Sequence, residues 1–168
     1  MNTRLRILNI LFSFTVFLFS MYIAWLCNVK ANFFYSFWYE SLEISETIGK
    51  YSPNNKFKDG FELLSKKVHV DLFNGIVEAI HKKGEGLSQL EFENKKLDRK
   101  EKLLTKDEVI HLQDVANLIG FLKYVAYGCF LFGALILLFL YISKENLASI
   151  KYHIYGGIGV IALSVLVM

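Results

Sequence analysis

The sequence is poor in the residues that build disulfide-rich, proline-rich or highly charged proteins. It contains one proline and two cysteines, and charged residues make up 21% of its 168 positions. Both cysteines, Cys27 and Cys129, fall in long apolar runs, so a disulfide framework in the polar part of the chain is excluded. Hydrophobic residues reach 54% and are concentrated in three blocks. This distribution excludes a simple soluble globule, a disordered chain and a collagen-like repeat.

The three apolar blocks predict membrane-spanning helices. Ile7–Cys27 has no charge over 21 residues, which corresponds to about 31 Å of helix, enough to cross a bilayer core. Leu118–Ile142 is interrupted only by Lys123, and Tyr152–Met168 has 17 residues, near the lower limit. No small-x-small cleavage site follows the first block, so we interpret it as a retained span and not as a signal peptide.

We therefore predict an all-α membrane protein with about three transmembrane helices and a mostly helical extracytoplasmic module. In the third span, Gly156, Gly157 and Gly159 predict close helix packing. The expected division is a cytoplasmic N-terminus with the first span (1–28), the module (29–117), the second span (118–142), a cytoplasmic turn (143–151) and the third span (152–168).

Basic residues beside the spans predict the orientation. Arg4 and Arg6 precede the first span, and Lys144 and Lys151 flank the turn between the second and third. Positive flanks favour the cytoplasmic side, which places the module outside the cell membrane. Segment 28–117 contains 14 Lys/Arg and 15 Asp/Glu, so the module as a whole is not basic and a nucleic-acid partner is disfavoured.

The module itself shows several local patterns. The aromatic-rich segment 32–48 predicts either a helix lying at the membrane interface or a buried aromatic cluster. A turn is expected over Tyr51–Asp59 and a helix over Gly60–Lys83, where apolar residues recur every four positions and two glycines follow. Leu87–Leu97 predicts a short hairpin or an irregular arm, and Asp98–Lys102 a solvated charge run.

The sharpest local signal begins the helix that leads into the second span. Thr105 and Glu108 have the spacing of a capping box, which predicts a helix from Lys106 that continues into the apolar run. His111 and Asp114 are three residues apart on it and share a face, and Glu108 precedes His111 by three. An imidazole here can exchange protons at neutral pH beside an orienting carboxylate. The alternative is an ordinary surface helix that carries a His–Asp pair.

Other chemistry-bearing patterns are missing. The chain has no HExxH or paired CxxC sequence, no GxSxG sequence and no phosphate-binding glycine loop, so neither a metal nor a nucleotide cofactor is expected. His69 and His81 lie among lysines and are expected to be solvated. His153 is expected at the cytoplasmic end of the third span, on the opposite side from His111.

Two segments resemble the lipoprotein intramolecular transacylase (Lit) family of Gram-positive bacteria. Residues 108–115 read EVIHLQDV, similar to the family's E-x-x-H-x-x-D-V segment, which has Met or Leu after the histidine and lies just before the second span. Residues 70–75 read VDLFNG, similar to its degenerate D-Y-L-x-G helix segment. The order of span, large outer loop, span, short inner turn and span is also similar.

The resemblance implies an enzyme of the outer leaflet, an acyltransferase that needs no cofactor and acts on membrane lipoproteins. Such an enzyme moves the sn-2 acyl chain of a diacylglyceryl-cysteine to the α-amine of the same cysteine, which gives a lyso-form lipoprotein. His111 would be the base, with Asp114 or Glu108 as its orienting group. Membrane lipids and diacylated lipoproteins would then be its partners.

Longer members of that family continue into a second outer segment with another histidine and a fourth span. This sequence is therefore expected to be a natural short form, a truncated reading frame or a fragment, and a partner chain that supplies the remainder is left open.

Two other functions are also left open. One is a non-enzymatic membrane protein whose module binds a lipid, peptide or partner subunit, with the aromatic residues 33–39 as its contact surface. The other is a hydrolase that uses the same histidine with water.

Overall fold

The structure, a computed structural model, describes residues 3–143 and 150–166. These residues are mostly helical. The helices are α1 (Thr3–Lys30), α2 (Tyr35–Ser41), α3 (Ile44–Tyr51), α4 (Lys66–His81), α5 (Lys106–Ile142) and α6 (Ile150–Leu166), and the strands are β1 (Glu91–Asn94) and β2 (Arg99–Lys102). The chain divides into two compact units, one of residues 1–31 and 121–168 and the other of residues 32–120. The second unit is close to the predicted module, 29–117, and we refer to it below as the module.

The first unit is built from α1, the later part of α5, and α6. A buried apolar cluster joins Phe12 of α1 to Ile136 and Leu140 of α5 and to Ile150 of α6. Gly157 lets α6 approach α1 closely, because a Cβ there would lie 2.5 Å from Ser20 Oγ. The expected close packing is therefore found at Gly157. Gly156 and Gly159, predicted to act in the same way, have no atom near a would-be Cβ in the described part of the chain.

Two described helices, α1 and α5, are long and apolar enough to cross a membrane, with mean hydropathy of 2.1 and 2.4 over their most apolar windows. Only 22% of either window is buried, whereas the core helix of a soluble protein is mostly covered. Large side chains such as Phe14, Phe121 and Phe130 are exposed. This exposure favours a membrane protein, since such continuous apolar surface is rarely left in water.

The third predicted span and the turn before it are only partly described. The helix α6 has 17 residues, shorter than the roughly 20 that usually cross a bilayer, so the third span stays a prediction. Val167 and Met168 lie outside the described residues, as do 144–149, which make up most of the predicted cytoplasmic turn.

Within the module, the predicted helix Gly60–Lys83 begins later than expected. Gly60 has a positive φ of 85° and Leu64 is extended. The helix α4 starts only after Ser65, whose hydroxyl accepts from the Val68 amide. The Ser65 cap fixes the start of the helix even though the apolar periodicity extends further back. Its hydroxyl satisfies an amide of the first turn that has no carbonyl partner within the helix. The helix stops at His81, slightly before the predicted Lys83. The predicted glycine stop is confirmed, since Gly84, with φ 84°, donates its amide back to Ala79.

The aromatic-rich segment 32–48 contains two short helices, α2 and most of α3. The predicted buried aromatic cluster is confirmed in part, whereas a position at the membrane interface stays a prediction. Tyr39 is buried, and the ring of Tyr35 stacks on Phe73 of α4 with centroids 4.1 Å apart. Phe37, in contrast, is 59% exposed. The two tyrosines therefore pack α2 against α4. Phe37, which lies between them in sequence, presents apolar surface on the outward side of α2.

The short hairpin predicted as one alternative for Leu87–Leu97 is confirmed but lies further along the chain, because β1 and β2 pair antiparallel over residues 91–102. It corrects the all-α prediction to a mostly helical chain with one small hairpin. The expected charge run Asp98–Lys102 is mostly strand β2, whose charged side chains lie at the surface. The hairpin is held by Phe92 and by Asn94, the latter with no exposed surface. The Asn94 amide group donates to Asp59 O at 2.7 Å and to Glu101 Oε2 at 2.8 Å, and its Oδ1 accepts from backbone amides of the turn.

Candidate active site

The first turn of α5 is fixed by the capping box that the sequence predicts. The amide of Thr105 donates to Glu108 Oε2 at 2.7 Å, and the amide of Glu108 donates to Thr105 Oγ1 at 3.3 Å. Each residue satisfies a backbone donor that the helix start would otherwise leave free. The helix then runs without interruption from Lys106 to Ile142. Both the helix start and its continuation through the second apolar run are confirmed.

The carboxylate of Glu108 is committed to this structural role. Besides the Thr105 amide, Oε2 lies 3.4 Å from Lys58 Nζ, and Lys58 also donates to the carbonyl of Leu103. Desolvation alone would raise the pKa of Glu108, but the hydrogen bond from Thr105 and the charge of Lys58 outweigh it and lower that pKa. A carboxylate held ionised in this way is a poor proton acceptor at neutral pH.

His111 and Asp114 lie on the outward face of the same helix. Both side chains are exposed, and their neighbours on that face, Ile110 and Leu118, are also exposed, by 62% and 56%. The opposite face packs inward through Ala116, and Gln113 donates from Nε2 to the carbonyl of Lys83 at 2.9 Å. The helix is thus anchored to the module on one side and presents an imidazole, a carboxylate and apolar surface on the other.

The three predicted site residues are not joined by hydrogen bonds. Across residues 3–143 and 150–166, His111 contacts neither Glu108 nor Asp114 through a hydrogen bond or ion pair. A spacing of three residues keeps His111 and Asp114 neighbours on the helix surface. Rotation of the two side chains is therefore enough to bring His111 and Asp114 into contact. For Glu108 to contact His111, its carboxylate would first have to break its contacts with Thr105 and Lys58.

The expectation that His69 is solvated is wrong. His69 is 4% exposed, with Nδ1 2.7 Å from the hydroxyl of Tyr39 and Nε2 3.0 Å from the carbonyl of Phe61. A carbonyl only accepts, so Nε2 carries the proton and, in the neutral ring, Nδ1 accepts from the tyrosine. The sequence does contain an indication of this burial, because His69 is four residues before Phe73 on the apolar face of α4. The neighbouring lysines indicated a solvated position instead.

The other two histidines are also engaged. His81 is half-buried, with Nδ1 2.8 Å from the carbonyl of Val77, so it is only partly solvated. His153, in the first unit, has Nδ1 2.9 Å from the hydroxyl of Ser13 and packs edge-on against Phe12. Of the described histidines, His111 is the one whose side chain is exposed and without a hydrogen bond.

The described residues contain no group of three or more His, Cys, Asp or Glu side chains arranged to hold a metal ion. Cys27 and Cys129 are free thiols.

The chain matches no family model, no curated protein and no solved structure. The resemblance to the transacylase family stays a prediction that depends on residues 108–115 and 70–75, and the function has to be argued from the site.

Proposed function

We propose that this protein is a membrane acyltransferase that moves the sn-2 acyl chain of a diacylglyceryl-cysteine lipoprotein to the α-amine of the same cysteine. One observation carries the proposal. His111 is exposed beside Asp114 on the outward face of a continuous helix, and the apolar run of that helix begins at Leu118, seven residues later. Seven residues correspond to about 10 Å of helix. An imidazole at that height in a membrane is within reach of the ester linkages of a lipid-modified substrate.

In the proposed reaction, His111 first removes a proton from the α-ammonium of the substrate cysteine. The free amine attacks the sn-2 ester carbonyl, so that a C–N bond forms and the C–O bond to glycerol breaks. The imidazolium then delivers its proton to the departing alkoxide, which becomes the sn-2 hydroxyl, while the nitrogen loses its second proton to water as the amide forms. The histidine ends in its starting state, so the transfer consumes no cofactor. Amine and ester belong to one molecule, which supplies the proximity that a two-substrate reaction lacks.

The surroundings of the two carboxylates support different proposed roles for them. Asp114 is exposed and unengaged within the described segments, so it is free to orient the imidazole and to stabilise its charged form. Glu108 instead holds the start of α5 through Thr105 and Lys58. The proposal therefore places His111 as base and acid, Asp114 as its orienting group and Glu108 as a residue that fixes the helix.

The proposed topology follows the sequence. Arg4 and Arg6 keep the N-terminus in the cytoplasm, α1 and α5 cross the membrane, and the module lies outside. The two apolar helices support the membrane location, and the distribution of basic residues supports the orientation.

The test is made in cells whose lipoproteins carry the diacylglyceryl form with a free α-amine. Mass spectrometry of the N-terminal lipopeptides should show the lyso form, with one acyl chain on nitrogen, when the chain is expressed. His111→Ala should abolish this product while the protein remains in the membrane fraction. His81→Ala, the same substitution at a histidine elsewhere in the module, should leave the product in place. An unchanged lipopeptide with the unmodified chain, or full activity of His111→Ala, would contradict the proposal.

A second function is favoured by a separate observation. The outward side of α2 and the turn after it expose Phe37 and Leu42, the kind of apolar surface that binds a lipid, a peptide or a partner subunit. If the protein is a non-enzymatic binding protein, His111→Ala has no effect, and Phe37→Ser with Leu42→Ser instead releases a partner that purifies with the unmodified chain in a fixed ratio.

A further inference from the structure

The module contains a cavity of about 790 Å³ between the segment around Phe57, the strand β2 and the start of α5. We refer to it as the basic cavity, because five of its lining side chains are cationic: Lys56, Arg99, Lys100, Lys102 and Lys106. Two are acidic, Glu101 and Asp107. Segment 32–120 as a whole has 13 Lys/Arg and 15 Asp/Glu, so positive charge is concentrated at this cavity on an otherwise nearly neutral module.

Part of that charge is already neutralised. Arg99 lies 2.7 Å from Glu101, and Lys102 lies 2.7 Å from Glu91. Because Glu101 is paired in this way and also accepts from Asn94, it does not balance the remaining lysines.

Three lysines of the lining form no close ion pair with the described residues, although the charge of Lys100 also acts on Glu91 across the hairpin. Neither Lys100 nor Lys106 has a carboxylate within ion-pair distance in the part of the chain that the structure describes. The ammonium of Lys56 lies over the ring of Phe57, 4.7 Å from its centroid. Asp107 is the one lining carboxylate without an ion-pair partner among the described residues, so positive charge remains in excess at the cavity even with Glu91 acting on Lys100. Clefts with one sign of charge concentrate ions of the opposite sign.

The start of α5 adds donors to the same wall. Thr105, Lys106 and Asp107 all line the cavity, and the amides of the first helical turn have no partner within the helix. Thr105 Oγ1 satisfies the amide of Glu108, which leaves those of Lys106 and Asp107 available. Lysine ammonium groups combined with helix-start amides suit phosphate oxygens.

The position of the basic cavity along α5 distinguishes a phosphate in the aqueous phase from one in a lipid headgroup. Lys106 is twelve residues before Leu118, where the apolar run begins, which corresponds to about 18 Å of helix. A headgroup of the surrounding bilayer would lie well below that level. The volume exceeds what one phosphate ion fills, and the lysines are spread over three chain segments.

We propose that the basic cavity binds an oligophosphate anion from the aqueous phase, a short run of linked phosphate groups. The site is independent of His111 and of the acyl transfer proposed above, so either can fail without the other.

The test uses the full chain in phosphatidylcholine nanodiscs, with inorganic triphosphate as the probe and isothermal titration calorimetry as the readout. Triphosphate should bind, and its affinity should fall as salt rises, because exposed charge pairs are screened. The triple variant Lys56→Gln, Lys100→Gln, Lys106→Gln should bind about tenfold more weakly, a loss of about 1.4 kcal/mol.

A matched control distinguishes the effect of the cavity lysines on affinity from the effect of the net charge of the protein. Lys50→Gln, Lys67→Gln, Lys95→Gln removes the same number of charges from exposed module positions outside the cavity lining, and triphosphate affinity should change by less than about twofold. Equal losses in the two triple variants would overturn the proposal, as would absence of binding to the unmodified chain.

The source of the phosphate is tested in nanodiscs that contain phosphatidylglycerol. Triphosphate should bind to the unmodified chain in these discs as it does in phosphatidylcholine alone. If the anionic lipid instead displaces triphosphate, the cavity takes a membrane headgroup, and its assignment to an aqueous ligand is refuted.

Discussion

Removal of one hydroxyl group at the buried contact between α2 and α4 should weaken the module measurably. The Tyr39 hydroxyl donates to His69 Nδ1 at 2.7 Å, and His69 is 4% exposed. Tyr39→Phe keeps the ring but leaves Nδ1 buried without a donor, because Nε2 is already committed to the carbonyl of Phe61. A buried polar atom without a partner costs about 1–3 kcal/mol. We expect a loss of about 2 kcal/mol of unfolding free energy.

The loss can be read from the fluorescence of Trp38, the neighbour of Tyr39 in α2, after Trp25→Phe removes the other tryptophan. In urea, with a slope of about 1–2 kcal/mol/M, the unfolding midpoint of the full chain in detergent should fall by about 1 M or more.

Tyr35→Phe is the matched control. The Tyr35 ring stacks on Phe73 of α4, and its hydroxyl makes no hydrogen bond to the described residues, so its removal should shift the midpoint little. If Tyr39→Phe is as stable as the unmodified chain, or no less stable than Tyr35→Phe, the assignment of Tyr39 and His69 as a structural pair is refuted.

Three further predictions concern the stability of the module. Thr105→Ala should cost about 1 kcal/mol and speed amide hydrogen exchange in the first turn of α5, while Thr105→Ser should restore protection, since a serine caps equally well. Gly84→Ala should cost about 1–3 kcal/mol in urea unfolding, because φ is 84° there and a Cβ would displace the Gln113 amide group that donates to Lys83; an unchanged midpoint would contradict this geometry. Burial raises the pKa of Tyr39 above its ordinary value of 10.0, with the charge of Lys66 only partly opposing. The folded state therefore holds this proton more tightly, so the contribution to stability is complete below pH 10 and is lost as pH rises through the higher folded pKa; Tyr39→Phe should flatten that alkaline decline in a pH series of urea midpoints.

Features set by neighbouring residues could be predicted from the sequence. The capping box between Thr105 and Glu108 involves groups three residues apart, and the helix it begins has no breaker for several turns. The end of α4 before Gly84 is a similar case, because a positive φ there favours glycine whatever the rest of the fold does.

Features set by distant residues could not be predicted in the same way. The burial of His69 depends on Tyr39, thirty residues earlier, and on the carbonyl of Phe61. Strand β2 is strongly charged and has little intrinsic strand preference, but it pairs with β1, and Asn94 ties the hairpin to Asp59. Such contacts leave no periodic trace in the sequence.

The candidate site falls between these cases. The spacing of Glu108, His111 and Asp114 was visible in the sequence, and it correctly placed them on one helix. The engagement of Glu108 by Lys58 was not visible, because Lys58 belongs to a loop fifty residues earlier. Only the structure separates the carboxylate that fixes the helix from the one that remains free beside the imidazole.

The most direct measurement of the proposed transfer uses the purified full chain in liposomes with a synthetic diacylglyceryl lipopeptide whose sn-2 acyl chain is deuterated. Tandem mass spectrometry then locates the label. We predict that the deuterated chain appears as an amide on the N-terminal cysteine with the unmodified chain and stays on glycerol with His111→Ala. Release of the label as free fatty acid would make the protein a hydrolase, and label retained on glycerol with the unmodified chain would contradict the transfer.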